Sequence, residues 1–327
     1  MKKAIITGIF GQDGSYLCEY LHSLNYDIHG IVKRDLSSNS QLIKNQLIYN
    51  KINPKIHSVD LDNYDALRKV LIEIQPDEIY HLAASHVSSQ GVKQNKVLYE
   101  KQLFDNNVKA TSNILCICFE SLKDARVVLA GSCLMYDNSK ENIQNEFTAF
   151  NSKSLYGLSK ITENSLTKYY RNNGFHASMA ILYNHESPRR SINFVTKKIV
   201  RNMVAIKNNR INHFTLGNID IKKDWGFAKD YVYGMYLMAQ QDCPDDFILS
   251  SGELHSIRNI LQICADILKI NNWEEYVQID PTILDRKINN QLFGDCTKAR
   301  QNLRWEKTVN FHELVTLLIE TETTECV

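Results

Sequence analysis

The chain has 327 residues, 43% of them hydrophobic, with a formal net charge of +1. That is enough apolar material for one large α/β unit and a smaller companion, and the near-zero charge excludes a field suited to nucleic acid, so a phosphorylated ligand must be held locally. Eight cysteines form no C-x-x-C pair and no apolar run approaches a membrane span; no metal, disulfide framework or membrane partner is expected, and a reducing cytoplasm fits best, with no leader before the first strand.

Taken in order, residues 3 to 9 read as a short buried strand. Gly8, Gly11 and Gly14 follow, and then a helical pattern of Tyr16, Leu17, Tyr20, Leu21 and Leu24. A strand, a glycine-rich turn and an amphipathic helix are the setting in which backbone approaches a pyrophosphate at a helix N-terminus, and Gln12 and Asp13 lie inside that turn. A second strand, Asp27 to Val32, leads to a polar loop holding Ser37, Ser38, Asn39 and Ser40. Further strands are expected at 55–60, 77–83, 125–131 and 175–182, with helices at 63–75, 99–122 and 154–173, which predicts a right-handed, doubly wound parallel (Rossmann) sheet. The pattern breaks at Asn184 to Arg190, too polar for a core strand. A helix from Phe227 to Gln241 and a strand from Asp246 to Ser250 then return to the main sheet. The expected division is a dinucleotide-binding domain at 1–185 plus about 226–255, and a smaller α/β substrate domain at about 186–225 plus 256–327.

Tyr156 and Lys160 are four apart on a predicted helix and so share a face, with Ser132 upstream. A nearby ammonium favours the phenolate, which is expected to bring the Tyr156 pKa down from about 10 toward neutrality and make it a proton carrier for a hydroxyl or carbonyl. The G-x-x-G-x-x-G turn together with Y-x-x-x-K resembles the extended short-chain dehydrogenase/reductase superfamily.

At the end of the second strand, where an acid would accept from the ribose hydroxyls of NAD, the chain carries Lys33 and Arg34. Two cations there suit a 2′-phosphate, so NADP(H) is favoured; NAD(H) remains possible through Asp35, with Lys33 and Arg34 then a basic loop tip. Asp60 and Leu61 suit the adenine, by accepting from its amine and packing on its face. Leu82, Ala83 and Ala84 leave room along the path toward the nicotinamide.

Five longer segments narrow the resemblance: Thr7 to Leu17, Asn184 to Arg190, Phe194 to Ile199, Asp224 to Val232 and Gly294 to Ala299. In order and over most of the chain they resemble the GDP-mannose 4,6-dehydratase family, whose members act on nucleotide-linked sugars in deoxysugar or polysaccharide biosynthesis and assemble as homodimers or homotetramers. The resemblance implies that Asn184, Val195, Lys198, Lys223 and Arg286 surround a GDP-linked sugar and that His185 and Arg190 approach the cofactor. Val195 reads equally as core, and Arg190 as a surface ion pair. It further implies that Tyr156 takes the C4 hydroxyl proton and that Ser132 stands at the position of a hydroxyl bonded to the same oxygen.

The chain departs from the family at one position that matters for chemistry. A Thr-Ser-Glu run supplies the family's base for the C5 proton, and this chain has Ser132-Cys133-Leu134 there. Leucine cannot move a proton, and Glu141 and Glu146 fall in a predicted loop. The segment from His86 to Thr111 is longer than the family pattern, Lys223 replaces an Arg, and Lys287 to Asn290 replace an Arg-x-x-Glu character after Arg286. Asn107 matches a superfamily position and is expected to be structural, holding a water near Lys160. The expectation is hydride transfer at C4 without elimination, as a 4-dehydrogenase, 4-ketoreductase or epimerase; the alternative is a 4,6-dehydratase, on GDP-mannose or a GDP-heptose, using another base.

Overall fold

The computed structural model describes residues 1–85, 96–283 and 291–325. Its centre is a sheet of seven parallel strands: β1 (Lys3–Thr7), β2 (Asp27–Val32), β3 (Lys55–Ser58), β4 (Glu78–His81), β5 (Arg126–Ala130), β6 (Ala177–Leu182) and a later strand, Phe247–Leu249. With β7 (Asn184–Glu186), β8 (Phe214–Leu216) and β9 (Lys222–Phe227) intervening, that later strand is β10, and the sheet order is β10-β6-β5-β4-β1-β2-β3. The order reverses between β1 and β4, which opens a crevice beyond their carboxyl ends.

Six helices flank this sheet: α1 (Gln12–Ser23), α2 (Ser38–Tyr49), α3 (Tyr64–Ile74), α4 (Lys96–Ser121), α5 (Leu155–Asn172) and, following α6 (Val195–Lys207) in the chain, α7 (Ala228–Ala239). Strands β4, β5 and β6 are buried or nearly so along their length, as a sheet covered on both faces requires. A second, smaller core joins α6 to α8 (Ile257–Leu268) and α9 (Phe311–Glu325) through Ile199, Met203, Leu261, Cys264, Val315 and Leu318. Beside it lie a three-stranded sheet of β11 (Leu254–Ser256), β9 and β7, and a pair of β8 with β12 (Val277–Ile279). Leu292, Cys296, Ala299, Leu303 and Trp305 pack into the first core.

Two local expectations are corrected. The polar segment after β2 does not stay a loop: Ser37 caps α2 by accepting from the Ser40 amide at 3.1 Å. Only Ile43 and Leu47 of α2 are buried, so its apolar stripe is too thin to read as a helix. The segment Asn184–Glu186 is a strand despite its polarity, because its polar groups find partners. His185 bonds the Tyr183 carbonyl at 2.7 Å and both Asp13 oxygens at 3.0 Å.

Candidate active site

The crevice between β1 and β4 is built around Gly8. Its φ of +71° is a left-handed conformation, and a Cβ there would lie 3.1 Å from the Ala83 backbone. A Cβ on Gly14 would lie 2.7 Å from Ile9 Cα, so the start of α1 can sit against the turn only with glycine at that position. Thr7 ties the two strand ends together: its hydroxyl accepts from the Leu82 and Ala83 amides at 3.1 Å and lies 2.8 Å from His81 Nδ1. Burial, with the charge of Lys160 in support, pushes His81 down to about 3. The imidazole is therefore neutral, and Nδ1 accepts the Thr7 proton.

No side chain caps α1 at Gly11, which leaves first-turn amides facing the crevice. The side chains of Gln12 and Asp13 point back into the protein. Gln12 donates to the His185 carbonyl at 3.2 Å and accepts from Ser187 at 2.7 Å. Burial pushes the Asp13 carboxyl up, but His185 and Arg190 outweigh it and hold Asp13 below its ordinary value. Burial likewise pushes His185 down, and Asp13 outweighs it and holds His185 above its own. Both ring nitrogens of His185 are thus engaged, and its ring packs 4.7 Å from that of Tyr231.

On α5, Ser154 caps the helix by accepting from the Gly157 amide at 3.0 Å, which starts the helix one residue before Tyr156. The Lys160 ammonium is 5.9 Å from the centre of the Tyr156 ring and 2.9 Å from Glu163 Oε2. The expected fall in the Tyr156 pKa is not found: burial raises it, Lys160 opposes that rise, and Glu163 adds to it. The lysine charge is shared with a carboxylate, so desolvation wins. Asn107 exchanges bonds of 2.8 and 3.1 Å with the Ser85 backbone and reaches Ser159 at 3.5 Å.

Ser132 opens a tight turn of Cys133–Tyr136, and its hydroxyl accepts from the Leu134 amide at 3.2 Å. Leu134 is partly buried against the main core. Its carbonyl oxygen abuts Gly157, where a Cβ would overlap it, so position 134 lies beside the first turn of α5. Burial pushes the Cys133 thiol up to about 12. Glu141 accepts from Thr148 at 2.6 Å, within its own loop, and Glu146 from the Ile248 amide of β10 at 2.9 Å.

Lys33 and Arg34 are exposed just before α2. A hydrogen bond with Asp62 and partial burial raise the Asp60 carboxyl, with the charge of Lys33 opposing. The Leu61 carbonyl is held by Asn113 at 2.9 Å, and Ala84 is exposed at the crevice end of β4. Among the residues expected around a sugar nucleotide, Asn184 bonds the Asp224 carbonyl at 3.2 Å and Lys198 the Thr215 carbonyl at 3.1 Å. Val195 begins α6 and packs on the second core, and Lys223 lies on β9, opposite His255 in the strand pairing. Arg190 lies 3.3 Å from Glu186 and stacks 3.5 Å from the centre of the Phe194 ring. Arg286 falls outside the described residues.

Three residues absent from the sequence expectations emerge here. Glu163 pairs with Lys160, and Lys-x-x-Glu spacing on a helix was the available signal. Arg189, next to the expected Arg190, bonds Ser15 at 3.0 Å and Gln46 at 3.2 Å, pairs with Glu19 and stacks on Tyr16. His81 completes the Thr7 tie.

The model of the family described as GDP-mannose 4,6 dehydratase matches residues 5–318. GDP-mannose 4,6 dehydratase 2 of Arabidopsis thaliana is 37% identical, covering 98% of this chain and 86% of its own length. The human GDP-mannose 4,6 dehydratase is 35% identical, with coverage of 98% and 91%. Among solved structures, dTDP-glucose 4,6-dehydratase from Bacillus anthracis in complex with NAD superposes with a TM-score of 0.83 at 16% identity over 99% of this chain and 97% of its own. UDP-glucuronic acid 4-epimerase from Bacillus cereus, with UDP-glucuronic acid and NAD, gives 0.82 at 20% identity over 99% of each. The solved structures share the fold, and by the family model over residues 5–318 and the identity of its relatives the chain belongs to the GDP-mannose 4,6-dehydratase family.

Proposed function

We propose that this chain transfers a hydride at C4 of a GDP-linked sugar, with NADP(H), and does not carry out the elimination for which its relatives are named. The observation that carries the reading is Leu134, an apolar side chain beside the first turn of α5 at the place where the motif resemblance sets the family's base; the downstream acids Asp137, Glu141 and Glu146 accept from the Lys153 amide, Thr148 and the Ile248 amide. Removing a positioned base costs about 10²–10⁴-fold.

The residues of the crevice fit a dinucleotide: Gly8 and Gly14 let the turn and the start of α1 pack closer to Ala83 and Ile9 than a Cβ would allow, and the start of α1 is uncapped. When bound, the dinucleotide supplies the hydride acceptor. Lys33, Arg34 and the first turn of α2 with its Ser37 hydroxyl support a 2′-phosphate, hence NADP(H) over NAD(H). Within this reading, Ser132 hydrogen-bonds the C4 oxygen and Tyr156 receives its proton. Lys160 stabilises the phenolate that takes that proton. The first core carries the dinucleotide, and the second core, with Asn184, Val195, Lys198 and Lys223, carries the GDP-sugar. We place the enzyme in the cytoplasm as a homodimer or homotetramer.

The identity to relatives named 4,6-dehydratases favours a second reading, elimination by a recruited base. The mass of the product from GDP-mannose separates the two. Loss of two hydrogens, or an unchanged mass after epimerisation, supports C4 chemistry alone; loss of water refutes it.

A further inference from the structure

Glu163 is a buried acid for which the C4 chemistry has no direct use. It lies one helical turn beyond Lys160, and the two side chains are 1% and 3% exposed. Its Oε2 is 2.9 Å from the ammonium and accepts from Thr111 Oγ1 of α4 at 3.1 Å. Its Oε1 is buried and meets no donor among the described residues. A carboxylate at that depth is tolerated only because Lys160 and Thr111 compensate it, and a lone ammonium there would shed its proton to escape desolvation.

The ionisable groups around Lys160, Glu163 and Tyr156 come from four elements. Tyr156, on α5, acts on Lys160; Lys160 acts on His81 at the end of β4; Cys133 of the tight turn and Arg190, after β7, act on Tyr156. His81 is neutral, and the Cys133 thiol is pushed up to about 12. Burial raises the Glu163 carboxyl, and Lys160 and Thr111 oppose that rise; with the ammonium 2.9 Å from Oε2, Glu163 is the anion that the geometry of this cluster supports. Asn107 bonds Ser85 and Ser159.

We infer that Glu163 is a positioning residue: its carboxylate keeps Lys160 charged, draws the ammonium toward Thr111, and so sets the pH range in which Tyr156 takes the C4 proton. The inference rests on the reading of Tyr156 as the C4 acid–base group. Tyr156 and Lys160 release their first proton as a unit, and the carboxylate holds that proton more tightly whichever of the two gives it up.

The test is single-turnover formation of reduced nicotinamide from GDP-mannose and NADP⁺, followed against pH, in the parent, Glu163→Gln, Glu163→Asp and Tyr156→Phe. The Glu163→Gln variant is expected to move the acid limb to lower pH by on the order of one unit, and to lower the plateau several-fold because an amide does not fix the ammonium. Glu163→Asp, which keeps the charge on a shorter arm, lies between the two. A Glu163→Gln profile superimposable on the parent's, at matching melting temperature and NADP⁺ affinity, overturns the inference. If Glu163→Gln does not fold, a Glu163→Asp limb coincident with the parent's overturns it as well. Loss of turnover in Tyr156→Phe beside an unmoved Glu163→Gln profile sinks this inference alone. Near-normal turnover in Tyr156→Phe removes the C4 reading and the inference with it.

Discussion

The carbonyl oxygen of Leu134 and the Cα of Gly157 are packed so closely that any side chain at 157 would overlap the Leu134 backbone. Residue 134 is thereby fixed against the helix turn that carries Tyr156, and in the reading proposed above its identity decides what chemistry is possible beside C4.

Incubating the enzyme with GDP-mannose in deuterated water tests the loss of elimination. The expected result is no 6-deoxy-4-keto product and no deuterium at C5 on the timescale of C4 turnover. Accumulation of that labelled product at ordinary enzymatic rates refutes the proposal. Where it is absent, Leu134→Glu is the informative reversal, expected to yield at least a trace of dehydrated product.

Replacing Tyr156 by Phe should lower turnover by about 10²-fold or more with nucleotide affinity nearly intact. Burial holds the Tyr156 phenol above its ordinary value, so the phenolate is scarce at neutral pH. Oxidation in the parent should therefore climb by about tenfold per pH unit above neutrality, whereas reduction, which uses the phenol, should not. Lys160→Met should displace the oxidative limb to still higher pH; an unmoved limb would remove Lys160 from the proton step.

Cofactor choice can be read from Lys33 and Arg34. The double substitution to Ala should weaken NADP(H) binding by about tenfold or more, as expected for loss of charge-assisted bonds, and leave NAD(H) binding unchanged. Equal weakening of both, or NAD recovered from the purified protein, would show that these cations do not read a 2′-phosphate.

The Gly157→Ala substitution should cost about 1–3 kcal/mol, since the new methyl meets the Leu134 backbone as well as Ser152. A fall in Tm of about 2–4 °C is expected. An unchanged Tm would mean that the turn at Ser132 yields freely.

Asp13 and His185 give a pH window for stability. His185, raised above its unfolded value of 6.5, stabilises fully below that value, and the contribution is lost as pH rises through the folded pKa. Asp13, lowered from 3.8, contributes above that value and loses its contribution as pH falls through its folded pKa. The Tm difference between the parent and Asp13→Asn should thus be largest between about pH 4 and 6.5 and shrink on either side. A difference that stays flat with pH would show that the pair is not ionic.

The parallel sheet, the glycine turn and the Tyr156–Lys160 helix were legible because each is written in local pattern: short apolar runs, glycine spacing and a four-residue interval. What escaped depends on distance or on context. Helix α2 buries only two side chains and hides behind serines that serve as its cap. Strand β7 looked too polar because the partner that satisfies His185 lies 172 residues away. The direction of the Tyr156 pKa shift turned on burial and on Glu163, neither of which the Y-x-x-x-K interval reveals.

Gln12, Asp13 and Ser15 of the first helix are bonded to His185, Ser187 and Arg189, and Arg189 also pairs with Glu19. The halves of the chain are therefore not interchangeable parts. A chimera that exchanges the N-terminal turn with that of a relative must bring residues 185–189 along, or it strands an imidazole, a carboxylate and a guanidinium in the interior. Recombination within this fold is constrained to move those two distant segments together.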